Sequence, residues 1–238
     1  MARPHLVTGH YYHVFNRGVE KRRTFEDRRD YRRCLCALFT FNDRNAVFNF
    51  GSTLPEDLRT LLSNTPDKRS LLVDIVAYAL MPNHYHLLLR QRVDDGIALF
   101  MKKLGIGYTK YFNIRHGRSG VLFQGKYQVK AIEKDSYLHH LVIYQHLNPL
   151  DLFAPHWKIR GVKDVSTALT FLERYQWSSC SAYLRDFRDE PSVALLNTEL
   201  VQDLGLPKGR AHAQSLRQWF NGSEASQELV QLGELIME

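Results

Sequence analysis

Residues 71–90 read LLVDIVAYALMPNHYHLLLR. Leu71 to Leu80 is a largely apolar run of the length expected for a buried strand. Met81-Pro82-Asn83 carries turn chemistry. His84 to Arg90 forms a second strand, so the stretch predicts an antiparallel hairpin. Side chains alternate across a strand, which places His84 and His86 on one face, close enough to share a divalent cation. Leu87, Leu88 and Leu89 anchor that strand and hold the imidazoles still. Two histidines that merely hydrogen-bond beside a turn carry the same pattern. A cation also needs a third ligand from elsewhere in the chain.

Working outward from the hairpin, Tyr11 to Asn16 is aromatic and β-branched and stops at Arg17-Gly18, as a strand ending in a turn does. Asp27 to Phe41 has Tyr31, Cys34, Leu35, Leu38 and Phe39 at helical spacing, with Arg28, Arg29, Arg32 and Arg33 opposite. Residues 42–70, with Pro55 and Pro66, read as a loop around one short helix near Glu56 to Leu62. After the hairpin, Asp94 to Arg115 is a long helix, broken by His116 to Gly120. Gln124 to Glu133 alternates as a strand. Asp135 or Ser136 is the expected N-cap of a helix running through Leu147, which Asn148-Pro149 stops. The order strand, helix, two strands, helix, strand, helix predicts an α+β domain. Its antiparallel sheet is ferredoxin-like, with helices mainly on one face and one helix extra. Residues 1–150 make this domain. Residues 151–238 form a C-terminal extension, helical in part over Ser166 to Phe187, Ala211 to Phe220 and Ser223 to Met237.

Tyr144 and Asn148 lie on the helix that ends at Leu147 and, four residues apart, share a face. An amide oxygen is a hard ligand suited to Mg²⁺ or Mn²⁺. Asn148 can therefore complete the site that the histidines begin and bring the Tyr144 phenol beside the metal, where a cation favours the phenolate. Taken in isolation, Tyr144 reads more readily as a helical aromatic packed in the core, and Asn before Pro is an ordinary helix stop. Tyr137, two turns earlier, is the rival nucleophile. His13, on the first strand, is placed near the site, and His146 points away from Tyr144.

The formal charge of +7 and pI of about 9.3 favour a polyanionic partner, because Lys and Arg release counterions from phosphates. One basic cluster is Arg17, Lys21, Arg22 and Arg23. A second comprises Lys102, Lys103, Lys110, Arg115, Arg118, Lys126 and Lys130, interleaved with Tyr108, Tyr111 and Phe112. Cations mixed with rings suit single-stranded DNA, although the rings fall on an apolar helix face. Gly120 to Lys126 imitates the start of a phosphate-binding loop. Tyr127 follows where Ser or Thr would hold Mg²⁺, and a strand rather than a helix comes next, so no nucleotide cofactor is expected. The three cysteines form no CxxC pair. With no apolar leader or membrane span in the sequence, the expected location is the cytoplasm.

Five segments now stand in order: YHVFNRG at 12–18, ALMPNHYHLLL at 79–89, LFMKKLGIGYTKYFNIRHGRSGVLFQGKY at 99–127, YQHLNP at 144–149 and YQWSSCSAY at 175–183. With them the chain resembles the HUH transposases that use one catalytic tyrosine, among them the REP-associated tyrosine transposases. The resemblance implies an HUH fold acting on single-stranded or hairpin-forming DNA such as repetitive extragenic palindromes. It implies that His84 and His86 bind a divalent metal, Mg²⁺ or Mn²⁺, with Asn148 at the family's polar ligand position. Tyr144 would attack a phosphate to leave a 5′-phosphotyrosine and a free 3′-OH. Tyr85 stands where the motif has a bulky hydrophobic. A DNA-hairpin-binding protein that does not cut, and a metal-dependent nuclease using water, are the alternatives. The resemblance leaves monomer or homodimer open.

Overall fold

A computed structural model gives the fold and describes residues 4–45, 58–63, 69–188 and 191–220. Four strands form one antiparallel sheet in the order β2-β3-β1-β4: β1 Tyr11–Arg17, β2 Val73–Met81, β3 His84–Gln91 and β4 Gln128–Ile132. The hairpin closes on the two-residue turn Pro82-Asn83. β3 pairs Met81 with His84 on one side and Arg17 with His84 on the other. Register then sorts the faces. His84, His86 and Leu88 share one with Arg17, Phe15 and His13 of β1 and with Gln128 and Lys130 of β4. Tyr85, Leu87, Tyr12 and Val14 share the other.

The second face is covered by α1 (Arg28–Phe41) and α3 (Gly96–Arg115). Tyr85 meets Phe123 edge-on, and Tyr108 of α3 packs against Phe123 and Phe25. The helices touch where Gly107 leaves room for the Phe41 ring. Asp27 caps α1 by accepting from the backbone of Arg29 and Asp30. A short helix α2, Leu58–Ser63, lies close to the expected position. The remaining helices are α4 Asp135–Leu147, α5 Leu150–Phe153, α6 Trp157–Arg160, α7 Val165–Arg174, α8 Cys180–Leu184, α9 Thr198–Asp203 and α10 Gly209–Phe220.

Two boundaries depart from the sequence reading. β4 begins at Gln128 rather than Gln124, because Gly125 adopts φ 134°, outside strand geometry for other residues, and only Phe123 bridges to Gly18 before it. The N-cap of α4 is Lys134, so the helix starts one turn position earlier than a capping Asp135 or Ser136 requires. α4 ends at Leu147 as expected, although Asn148 keeps helical angles and α5 follows from Leu150. The expected helix over Ser223 to Met237 lies outside the described residues.

The segment after α7 covers the outer edge of β2. Leu80 N–H donates to the Trp177 carbonyl at 2.8 Å, Ser179 N–H to the Tyr78 carbonyl at 2.9 Å, and the Tyr183 hydroxyl to the Val76 carbonyl at 2.8 Å. Those bonds satisfy an edge that would otherwise pair with another chain. Among the described residues no helix is long and apolar enough to cross a membrane.

Candidate functional site

A neighbour sets the tautomer of His84. His84 Nδ1 lies 2.7 Å from Asn83 Oδ1. An amide oxygen only accepts, so Nδ1 carries the proton and Nε2 keeps its lone pair. His86 Nδ1 lies 3.0 Å from His13 Nε2, and His86 Nε2 is buried without a hydrogen-bond partner. In the tautomer in which His86 Nδ1 donates to His13, that Nε2 is bare as well. Groups that accept the far N–H of a ligating histidine are the usual support of a metal site. Burial holds His84 down to about 4, with the Arg17 and Lys158 cations adding to the effect. It holds His13 at about 3 and His86 well below its ordinary range. All three rings are therefore neutral at physiological pH, the form that binds metal.

The helix α4 packs on β2 and β4. Its Tyr144 is buried, only 1% exposed, and that burial raises the phenol above its ordinary value, with Asp151 and Tyr137 adding to the shift. Lys158 of α6 ties this helix to the histidines. Its Nζ stands 5.5 Å from the centre of the Tyr144 ring, and its charge reaches both His84 and His86. Asp151 holds the segment in place by accepting from Trp157 Nε1 at 2.8 Å and Lys158 Nζ at 3.2 Å. Asn148 stays on the Tyr144 side, buried, with its Nδ2 lacking a hydrogen-bond partner. Tyr137 is half-buried.

The basic residues separate into groups. Arg17 pairs with His84 in register, and its Nε is buried without a hydrogen-bond partner. Lys21, Arg22 and Arg23 are exposed on a loop fastened to the hairpin tip: Gly18 N–H donates to Asn83 O, Thr24 and Phe25 N–H to Pro82 O, and Asn83 Nδ2 to Lys21 O. Gly18 is required there, since a Cβ would lie 2.3 Å from the Arg22 carbonyl oxygen. Lys130 lies on the His13 side of β4. Lys102 and Lys126 instead line a cavity of about 810 Å³ on the opposite face, with Tyr85, Phe123 and Tyr127. Arg115 is bound to Asp27 and the buried Asp30. Lys103 donates to the carbonyls of Asp43 and Arg44, and Arg118 to Asn113. The fold thus uses these last three charges internally.

Sequence reasoning missed Asn83, Lys158 and Asp151. Asn83 was visible only as turn chemistry, and residues 150–160 show no periodicity that would point at the hairpin.

A family model described as "Transposase IS200 like" matches residues 7–145, more than half of the chain. No curated protein matches. One solved structure, described as "Structure of the REP associates tyrosine transposase bound to a REP hairpin", is 12% identical, with a TM-score of 0.47 over 78% of this chain and 85% of that one. The family match takes in β1, the histidine hairpin, α3, β4 and α4 as far as Tyr144 and its neighbour. The chain belongs to the IS200-like transposase family.

Proposed function

We propose that this transposase nicks and rejoins single-stranded or hairpin-forming DNA through Tyr144, in the manner of the REP-associated tyrosine transposases. The observation that carries the reading is the pair of Nε2 atoms on His84 and His86, the first left bare by the Asn83 hydrogen bond and the second buried without a hydrogen-bond partner. The donors fit a divalent cation: two neutral imidazoles from β3, and the amide oxygen of Asn148 as the hard ligand that would favour Mg²⁺ or Mn²⁺. When bound, the cation polarises the scissile phosphate and stabilises phenolate charge. Arg17, with Lys21, Arg22 and Arg23 beyond it, holds the phosphate backbone beside the histidines.

In the reaction the Tyr144 oxygen attacks phosphorus and loses its proton to solvent. The bond from phosphorus to the 3′ oxygen breaks, and that oxygen leaves as a hydroxyl. The strand's 5′ phosphate remains on the tyrosine. Attack by a 3′-OH reverses the step and joins the ends, so the bond energy is conserved and no ATP is consumed. Tyr144 starts neutral and covered, so the Asp151–Trp157–Lys158 segment has to shift when DNA enters. The DNA meets this site in the cytoplasm.

One observation favours a second reading, hairpin recognition without cutting: the tyrosine is almost wholly enclosed. Incubation with 3′-labelled, hairpin-bearing single strands and Mg²⁺ or Mn²⁺, followed by denaturing electrophoresis, separates the two. The wild type and Tyr137→Phe should give a covalent protein–DNA band, and Tyr144→Phe should bind the strand but give none. An undiminished band from Tyr144→Phe refutes the assignment. Tight binding with no band from the wild type supports the second reading.

A further inference from the structure

His146 follows Tyr144 by two residues, which turns it about 200° around α4, away from the strands' histidines. It is fully buried, as are His212 of α10 and Cys180 at the start of α8. His146 Nδ1 and His212 Nε2 are 2.9 Å apart, and with Cys180 Sγ these atoms all lie within 4.8 Å of one another.

The hydrogen bonds around them do not close. The Ser179 hydroxyl lies 3.2 Å from the Tyr78 carbonyl and accepts from Tyr78 N–H at 2.9 Å. Its one proton goes either to that carbonyl, which Ser179 N–H already serves, or to His146 Nε2, 2.7 Å away. With the hydroxyl on the carbonyl, His146 donates from Nε2 and its Nδ1 is a bare lone pair facing His212. If His212 donates from Nε2, its own Nδ1 is left as a buried acceptor with no hydrogen-bond partner. If instead the Pro207 backbone draws the proton to Nδ1, two lone pairs confront each other at 2.9 Å. With the hydroxyl on His146 instead, His146 Nδ1–H meets His212 Nε2, and His212 Nδ1 is still buried without a hydrogen-bond partner, which is costly.

We propose that His146, His212 and Cys180 form a second metal site, for zinc, that pins the tyrosine helix α4 to α8 and α10. A cation between His146 Nδ1 and His212 Nε2 takes the place of their mutual hydrogen bond, with Ser179 orienting His146 from behind. Tetrahedral zinc with these ligands needs donor separations of about 3.3–3.7 Å. The histidines therefore part by about 0.4 Å, and the thiolate closes by at most about 1 Å. Binding replaces the Cys180 S–H bond with an S–Zn bond and releases the proton to solvent. A fourth, non-protein donor completes the shell. Two imidazoles and a thiolate select zinc over the hard cations suited to oxygen ligands, so this site and the one on β3 take different metals.

Cobalt(II) in place of zinc reports the thiolate directly, and the β3 site contains no sulfur. Full-length protein freed of metal with a chelator is titrated with Co²⁺ in excess Mg²⁺. A near-ultraviolet thiolate-to-cobalt band should saturate at about one equivalent and vanish on adding Zn²⁺. It should persist in His84→Ala/His86→Ala and in Cys34→Ala/Cys36→Ala, and be lost in Cys180→Ser. Zinc should raise the Tm of the wild type and leave that of Cys180→Ser unchanged. Absence of the band in the wild type overturns the proposal, as does a band that survives Cys180→Ser or disappears with Cys34 and Cys36. The wild type and the Cys34/Cys36 variant decide the matter even if Cys180→Ser does not fold.

Discussion

Asn83 decides which nitrogen of His84 carries the proton, and its own position is decided by the two-residue turn. Replacing it with Ala removes the acceptor at 2.7 Å from Nδ1 and lets the ring rotate or change tautomer. Loss of such a supporting group typically weakens metal binding about 10–100-fold. The prediction is that Asn83→Ala lowers Mn²⁺ affinity by that factor, measured by titration calorimetry. Covalent adduct formation should recover as Mn²⁺ is raised. Asn83→Asp, which keeps the acceptor, should retain most of the affinity; equal affinity in wild type and Asn83→Ala would dismiss the role. The sequence shows the two histidines readily, because strand alternation is rigid and puts positions 84 and 86 on one face whatever surrounds them. It does not show Asn83 as a support or Lys158 as a link to Tyr144. The first depends on a side-chain rotamer in a turn, and the second on where a segment more than sixty residues away comes to rest.

Between elements, the heaviest electrostatic contact joins the end of α3 to the start of α1. Asp30 is buried and accepts from Arg115, from the Tyr111 hydroxyl at 3.1 Å and from the Glu26 backbone at 2.9 Å, with His116 Nε2 at 3.0 Å. Arg115 also holds Asp27, the α1 cap, and keeps its carboxyl near 2. Removing one partner of a buried pair leaves a charge uncompensated and costs about 3–5 kcal/mol. Arg115→Ala should approach the lower end of that range, since His116 remains, as measured by urea unfolding. Its DNA affinity per folded molecule should stay near wild type, whereas Lys21→Ala/Arg22→Ala should weaken binding without loss of stability. The opposite pattern would return Arg115 to the DNA surface. From sequence, the helices themselves were legible because their apolar spacing is strong. The partner of Arg115 was not, because charge spacing along α3 says nothing about which helix packs against its last turn. The start of β4 was missed for a local reason, the Gly125 backbone.

For the molecule as a whole, the strand order follows from hairpin and crossover rules, but the covering of β2 by residues 175–183 does not. It rests on backbone bonds to carbonyls that no side-chain pattern marks. Enclosing the sheet on both faces and along this edge also buries histidines. His13, His84 and His212 are lowered by burial from the ordinary 6.5 to about 3, 4 and 3, and His86 and His146 fall well below it. An unfolded chain protonates these rings at their ordinary pKa while the folded chain resists. Between that pH and the folded values the unfolded state binds more protons, so stability rises with pH and falls on acidification. Asp27 runs the other way in timing: its depressed carboxyl stays ionised, and its contribution is lost only as pH drops from 3.8 toward 2. The first part of the acid transition therefore belongs to the histidines. In chelator-treated protein at constant ionic strength, Tm should hold above about 6.5 and decline steadily from there to about 4, before the carboxylates respond. A Tm that stays level across that interval would mean that these rings reach solvent and that the neutral, metal-ready pair on β3 is not enforced by the fold.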